Sequence, residues 1–212
     1  MKEITTLLFD IDGTILDTSE FIFQATEHAL ASLKYPVPKR SFMGKFVGIP
    51  FLDYYANIAG SNKDVEKLME IHREFQRSNF HLAELFKSTA KTLRKLKERG
   101  YRLGAVTSRS KKTSEQTLVD AGIFDLFDIV LSAEDTEDLK PHPAPLLKAL
   151  KHMKEIPERA VMIGDSHLDV EAGKSAGTKT IRATYGFHKD NLRNPEPDFF
   201  ISDIEELLDL LP

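Results

Sequence analysis

Four aspartates stand in two pairs whose spacing suits metal and phosphate chemistry. Asp10 and Asp12 follow a short apolar run, and Asp165 and Asp169 follow another apolar run late in the chain. If these acids meet, each close pair of carboxylates repels by roughly 4 kcal/mol at an effective dielectric of about 20. A divalent cation relieves that repulsion, and ligation by oxygen atoms alone is typical of Mg²⁺ rather than of zinc or copper. The pattern therefore predicts a Mg²⁺ site formed by all four aspartates.

Hydroxyl and basic side chains accompany the acids in the same parts of the sequence. Thr107 and Ser108 end another apolar run, Arg109 follows them, and Lys140 precedes a proline in a later loop. Their donors and positive charges suit the oxygens of a phosphoryl group. We therefore predict catalytic roles for Thr107 and Lys140, and substrate contacts for Ser108 and Arg109.

The first pair of acids suggests covalent chemistry. Asp10 and Asp12 are one residue apart, so both side chains face the same rim if the chain leaves a strand there. Gly13 lets the backbone approach a ligand closely, and we include it among the substrate-binding residues. One carboxylate can attack phosphorus to form an aspartyl phosphate while the other moves a proton. Asp10 and Asp12 are thus the predicted catalytic acids.

The elements that carry these residues alternate between helix and strand. The run from Ile4 to Phe9 is typical of a strand buried on both faces. Gly100, Gly122 and Gly177 each end a helix-period segment and precede a short apolar or β-branched run. The succession predicts helices over 88–99, 112–121 and 168–176, and strands over 102–107, 128–131, 161–164 and 178–182. This is the pattern of an α/β protein with a Rossmann-like, doubly wound parallel sheet, whose ligands bind outside the carboxyl ends of the strands.

Residues 15–86 depart from this alternation because they show helical periodicity without a strand run. Two apolar faces stand out, one of them containing Ala29 and Leu30, the other containing Leu68 and His72. We predict a small all-helical cap domain over 15–86, inserted after the first strand of a core formed by 1–14 and 87–212. His72 is then a core histidine of this insertion. The alternative is that these helices simply cover the sheet.

Composition excludes several classes of function. The chain has 212 residues with 29 Lys and Arg against 33 Asp and Glu, so it lacks the basic excess that attracts nucleic acid. It has no cysteine, which excludes a disulfide framework and a thiolate nucleophile or metal site. No apolar run approaches the 18 or more residues of a membrane span. We expect a cytoplasmic monomer or homodimer without nucleic-acid or membrane partners.

Four motifs occur in the order found in a known family. They are DIDGT at 10–14, VTS at 106–108, Lys140-Pro141, and GDSHLD at 164–169. Together they resemble the haloacid dehalogenase-like superfamily of phosphatases, and the resemblance covers essentially the whole chain. The insertion after the first motif is similar to the helical cap of a subgroup that includes phosphoglycolate phosphatases, β-phosphoglucomutases and a bacterial pyrophosphatase.

The resemblance implies a role for each matched residue. Asp10 is the implied nucleophile, and Asp12 is the general acid and then the base, with its backbone carbonyl on the metal. Thr107 and Lys140 are implied phosphate ligands. The list of implied metal ligands is completed by Asp165 and by Asp169, the latter often through water.

Differences from relatives narrow the range of candidate reactions. Dehalogenases and phosphonatases of this superfamily lack an aspartate at the place of Asp12, so both are disfavoured. Similar sugar phosphomutases carry a cap histidine near the position of Ile22, and its absence here weakens the phosphomutase interpretation. Lys45 lies beside the turn at 46–50, which resembles the specificity loop of related caps, and is predicted to contact substrate.

These features favour a Mg²⁺-dependent phosphatase of small phosphorylated metabolites. Phosphoglycolate or a similar acid phosphate is the first candidate substrate, pyrophosphate is the second, and a sugar phosphomutase reaction is the third. A receiver-like phosphoacceptor module is the alternative of a different class, although such modules place their aspartate after a later strand and have no cap. A binding protein that lost catalysis is a further alternative, but no catalytic position is substituted.

Overall fold

Six parallel strands form the main sheet of the protein. The computed structural model describes residues 3–188 and 193–211. In chain order the strands are β1 (Thr6–Phe9), β2 (Leu16–Asp17), β3 (Glu84–Leu85), β4 (Arg102–Val106), β5 (Ile129–Leu131), β6 (Ala160–Gly164), β7 (Lys179–Ala183) and β8 (Phe199–Ile201). Strands β2 and β3 pair with each other as a separate antiparallel ribbon, and the other six make the sheet.

The helices alternate with these strands along the core. They are α1 (Ser19–Ser32), α2 (Arg40–Met43), α3 (Phe51–Ala59), α4 (Val65–Arg77), α5 (Thr89–Glu98), α6 (Lys111–Asp120), α7 (Ala144–His152), α8 (His167–Ala176) and α9 (Leu207–Leu210). Gly100, Gly122 and Gly177 follow α5, α6 and α8 with φ angles of 89°, 66° and 82°. A left-handed residue after a helix is the conformation that glycine adopts most easily. The predicted helices therefore end at the predicted places.

The strand order brings three predicted site segments to one edge of the sheet. The order is β5-β4-β1-β6-β7-β8, and every neighbouring pair is parallel. The chain runs outward from β1 through β4 to β5, then crosses to β6 on the other side of β1. The carboxyl ends of β4, β1 and β6 are therefore adjacent at the point where the order reverses. Such a switch point is where an open α/β sheet binds its ligands.

Both faces of the sheet are buried, as the apolar strands predict. Leu7 and Phe9 of β1 pack on one face with Leu93 of α5 and Leu118 of α6. Leu8 packs on the opposite face against a cluster that includes residues of α7 and α8. Helices on both faces of a parallel sheet define the doubly wound α/β class, and the predicted fold class is confirmed.

The inserted segment forms a helical layer with a core of its own. Leu30, Met43, Tyr55 and Leu68 are fully buried in a cluster drawn from α1 to α4. The ribbon of β2 and β3 brings the two ends of the insertion together, with Leu16 opposite Leu85. Leu16 belongs to the sheet's own core cluster. We retain the division into a cap at 15–86 and a core as a proposal.

Several elements were not predicted from sequence, for physical reasons. The ribbon strands have two residues each and β8 has three, which is too short to show a period. Helix α7 follows Pro141 and Pro143 and contains Pro145 in its first turn; these prolines suggested a loop, although proline is compatible with a first helical turn. None of the described helices is both long and apolar enough to cross a membrane. The oligomeric state and cellular location stay predictions.

Candidate active site

A cavity of about 300 Å³ lies between the carboxyl edge of the sheet and the inserted helices. From the sheet side it is lined by residues that include Asp10, Thr107 and Asp165, and from the insertion by residues that include Ile49, His72 and Arg73. The walls therefore come from two parts of the chain that are far apart in sequence. Such a site can enclose a small ligand between a reactive floor and a selective roof.

Lys140 is the buried cation that holds the acidic cluster together. Its Nζ lies 2.9 Å from Oδ1 of Asp10 and 2.7 Å from Oδ1 of Asp169, and it donates to the carbonyl of Val106 at 2.9 Å. Burial lowers the pKa of Lys140, but the two carboxylates outweigh burial and raise the pKa well above its ordinary value. Lys140 is thus charged at neutral pH and sits between two of the predicted site acids.

Asp10, Asp165 and Asp169 form a buried group with the geometry of a metal site. One carboxylate oxygen from each lies within 4.8 Å of the others. Burial raises the pKa of Asp10 well above its usual range, against the opposing charge of Lys140. Burial also raises the pKa of Asp165 to about 7, helped by the charge of Asp169. Three buried carboxylates that all offer oxygen fit a hard divalent cation such as Mg²⁺.

Two glycines permit this close approach. A Cβ on Gly13, which has φ of 75°, would lie 2.6 Å from Oδ2 of Asp165. A Cβ on Gly164 would overlap the carboxyl group of Asp169. Gly13 therefore allows a close approach because it lacks a side chain, as the sequence predicted. The group that approaches it in the structure is the carboxylate of Asp165.

Asp169 has a structural partner as well as an ionic one. Oδ2 of Asp169 accepts from the hydroxyl of Ser166 at 2.5 Å and from its backbone N–H at 3.1 Å, which caps α8. Its other oxygen contacts Lys140. A first-turn acid is favoured at this end of a helix, so the cap fixes the carboxylate that faces the cluster.

The loop after β7 completes the site and was missed from sequence. The backbone N–H groups of Phe187 and His188 donate to Oδ2 of Asp165 at 2.6 and 3.3 Å. Nε2 of His188 lies 2.8 Å from the carbonyl oxygen of Val47 in the insertion. The signal that could have revealed this loop is its place at a strand end on the same rim, with Gly186 inside it.

Asp12 lies on the cavity wall but outside the acidic triad. Its Oδ1 is 3.3 Å from Nη1 of Arg109, whose guanidinium stands 5.0 Å from the ring centroid of Phe21. Arg109 therefore anchors Asp12 to one orientation. The predicted metal contact of Asp12 is through its backbone carbonyl, and that contact stays a prediction.

The two hydroxyls of the second motif have different surroundings. Oγ1 of Thr107 accepts the backbone N–H of Arg109 at 3.2 Å. Oγ of Ser108 is buried at the cavity wall and makes no hydrogen bond to any residue that the structure describes. An unsatisfied buried hydroxyl costs free energy unless a ligand supplies its partner. Ser108 is thus placed where the sequence predicted a substrate contact.

Among the predicted site residues, Lys45 is the one that lies neither on the cavity wall nor against the acidic cluster. Its side chain is exposed and does not line the cavity, whereas Val47, Gly48 and Ile49 of the neighbouring turn do. Arg40 is engaged by Glu20 and Glu27, both at 2.6 Å. The turn lines the cavity, but its basic neighbours Arg40 and Lys45 do not.

His72 is buried, as predicted, and also contributes to the cavity wall. Its Nδ1 lies 2.8 Å from the hydroxyl of Tyr55. Burial and the nearby charges of Arg109 and Arg73 lower the pKa of His72 to about 3. The ring is therefore neutral at physiological pH.

We expect the shifted pKa of His72 to make the protein sensitive to acid. Between pH 6.5 and 3 the unfolded chain binds a proton at this histidine and the folded protein does not. The free energy of unfolding then falls by about 1.4 kcal/mol per pH unit from this group alone. Urea unfolding at several pH values between 4 and 6 gives the dependence of the unfolding free energy on pH. In His72→Asn this dependence should be smaller than in wild type by about 1.4 kcal/mol per pH unit. His152→Asn, on the exposed end of α7, is the matched control, and an unchanged slope in His72→Asn would contradict the assignment.

Comparisons with known proteins establish the family. Residues 7–183 match the haloacid dehalogenase-like hydrolase family, and the chain belongs to it. A protein from Bacillus cereus called pyrophosphatase PpaX is 35% identical over 210 residues, which cover 98% of this chain and 96% of that protein. The predicted enzyme class, a phosphatase hydrolase of this family, is thereby confirmed.

Two solved structures share the fold over the full length of both chains. A haloacid dehalogenase-like family hydrolase from Streptococcus pneumoniae superposes with a TM-score of 0.91 at 26% identity. A predicted phosphoglycolate phosphatase from Haemophilus somnus superposes with a TM-score of 0.92 at 23% identity. The second similarity concerns the fold alone.

Proposed function

We propose that the protein is a Mg²⁺-dependent phosphatase of small phosphorylated metabolites that works through an aspartyl phosphate on Asp10. The observation that carries this proposal is one buried cluster of Asp10, Lys140, Asp165 and Asp169. Two of its members, Asp10 and Asp165, line the cavity. Clustered carboxylates with one buried lysine suit an anionic substrate only when further positive charge is present.

The first chemical step forms a bond between a carboxylate oxygen of Asp10 and phosphorus. The bond between phosphorus and the leaving-group oxygen breaks, and Asp12 supplies a proton to that oxygen where the leaving group needs one. Lys140, 2.9 Å from Asp10, offsets negative charge as it accumulates. The hydroxyl groups of Ser108 and Thr107 offer donors to the phosphoryl oxygens.

The second step returns Asp10 to its starting state. Asp12, by then a carboxylate, accepts a proton from the water that attacks the aspartyl phosphate, and the bond between phosphorus and Asp10 breaks. A divalent cation held by Asp10, Asp165 and Asp169 would supply positive charge against the substrate phosphate. Arg109, 3.3 Å from Asp12, holds that carboxyl group over the reacting centre in both steps.

Inorganic pyrophosphate is a second candidate substrate with specific support. The relative at 35% identity is called a pyrophosphatase, and Arg73 and Arg109 place two guanidinium groups on the cavity wall. A phosphomutase reaction has less support, because Ile22 lines the cavity where a proton-transferring histidine would be needed.

Phosphate release from a panel of compounds tests the proposal. We expect release from pyrophosphate, phosphoglycolate or a similar small phosphate in the presence of Mg²⁺, and at least a hundredfold slower release in excess EDTA. Adding excess Mg²⁺ back to the same sample should restore phosphate release, which controls for damage by the chelator. Activity that survives EDTA unchanged, or the absence of release from every compound, would overturn the proposal.

A further inference from the structure

Helix α4 presents a second polar surface to the cavity, opposite the reactive floor. His72, Arg73 and Gln76 all line the cavity, and they occupy neighbouring positions on one side of the helix. Val65 and Leu68, earlier in the same helix, pack into the core of the insertion. The packing of α4 therefore fixes which of its side chains face the ligand space.

Arg73 differs from Arg109, the other arginine of the cavity wall, because no carboxylate neutralises its charge. In the part of the chain that the structure describes, no carboxylate forms an ion pair with it, and its guanidinium stands 5.3 Å from the ring centroid of Phe51. Arg109, by contrast, is paired with Asp12 at 3.3 Å. The aromatic ring supports the guanidinium plane and leaves its N–H groups available.

The neighbours of Arg73 also leave its guanidinium group available to an anion. His72 is neutral and bound to Tyr55, so it neither pairs with Arg73 nor competes with it for an anion. An unpaired guanidinium in a concave, half-enclosed wall is suited to bidentate contact with a carboxylate or phosphate. The basic residues outside the cavity, Arg40 and Lys45, cannot serve this purpose from their observed positions.

We propose that Arg73 determines substrate specificity by binding an anionic oxygen group on the leaving-group side of the substrate. This inference rests on the proposed phosphatase function and names its substrate class: a phosphoryl group whose leaving group carries a second anion, either a phosphate or a carboxylate. The reacting phosphoryl group lies at Asp10, and the second anion lies under α4. Binding energy gained at a distant anion helps to orient the reacting group.

The test compares three substrates across matched variants in saturating Mg²⁺. Pyrophosphate carries a phosphate leaving group, phosphoglycolate carries a carboxylate, and p-nitrophenyl phosphate has a leaving group with no second oxyanion of this kind. We expect Arg73→Ala to lower kcat/KM for one or both anionic substrates about ten- to hundredfold, with at most a threefold loss on p-nitrophenyl phosphate. Arg73→Lys should recover part of the loss, since it keeps the charge without the planar fork.

Arg77→Ala is the control, because Arg77 lies one turn further along α4 and is paired with Glu74 at 2.5 Å on the exposed surface. Arg77→Ala should retain the wild-type ratio of kcat/KM for each anionic substrate to kcat/KM for p-nitrophenyl phosphate. A loss confined to pyrophosphate or to phosphoglycolate identifies the anion that Arg73 binds. Methylenediphosphonate, a non-hydrolysable analogue, should show a matching rise in Kd if the anion is phosphate.

Two results separate failure of the inference from failure of the proposed function. Equal losses on all three substrates, or no loss on either anionic one, overturn the role of Arg73 while the phosphatase activity stands. A wild-type protein that releases phosphate from none of the three overturns the function, and the inference with it.

Discussion

Asp10→Asn is expected to abolish turnover, with kcat at least about a thousandfold below wild type. An amide is not a competent nucleophile toward phosphorus, and the remaining donors can bind the phosphoryl group but cannot attack it. The variant should also fail to form a phosphoenzyme. Acid quenching with ³²P-labelled substrate and treatment with hydroxylamine, which cleaves acyl phosphates, measures that species directly.

The fold should survive this substitution, so the loss can be assigned to chemistry. Lys140 keeps Asp169 as a partner at 2.7 Å, and burial already raises the pKa of the Asp10 carboxyl. Asp125→Asn, on an exposed turn, is the control and should behave as wild type. Asp10→Asn that retains a tenth of wild-type kcat, with deamidation excluded by mass spectrometry, would contradict the covalent mechanism.

The floor of the site could be predicted from sequence because local signals place it. Apolar strands buried on both faces are readable as runs, and their ends in a parallel sheet fall on one edge. Asp10, Thr107 and Asp165 follow such runs directly, so their proximity follows from the fold class. Gly100 and Gly177 mark helix ends through their backbone conformation.

The roof of the site could not be predicted in the same way. Which face of α4 meets the cavity depends on how α1 and α3 pack around Tyr55 and Leu68, and helical period alone does not contain that orientation. Lys45 was therefore predicted from its position beside a turn that lines the cavity, and Arg73 was not predicted. The contacts of Phe187 and His188 with Asp165 use backbone N–H groups, which no residue type reveals.

Asp165→Asn is expected to change stability and metal binding in opposite directions. The pKa of Asp165 in the folded protein is about 7, above the ordinary value of an aspartate, because of burial and the charge of Asp169. As pH rises from about 4 to 7, the unfolded chain loses this proton and the folded protein keeps it, so each unit costs about 1.4 kcal/mol of stability. Replacing the carboxylate by an amide removes that cost while keeping an acceptor for Phe187 N–H. Without metal at pH 8, the variant should be more stable than wild type by a few kcal/mol.

The same substitution should remove the stabilisation that Mg²⁺ gives the wild type. A ligand that binds only the folded state raises Tm with its concentration, and one carboxylate fewer weakens the predicted oxygen site. Asp128→Asn is the control: Asp128 is a partly buried acid outside the site, and it accepts the N–H of Leu103 and pairs with Lys97 at 2.9 Å. Its pKa is lowered, despite the opposing effect of burial, so its loss should destabilise the protein while the Mg²⁺-induced rise in Tm persists. Calorimetry with and without Mg²⁺ measures both effects, and an equal Mg²⁺-induced rise in Asp165→Asn and wild type would place the metal elsewhere.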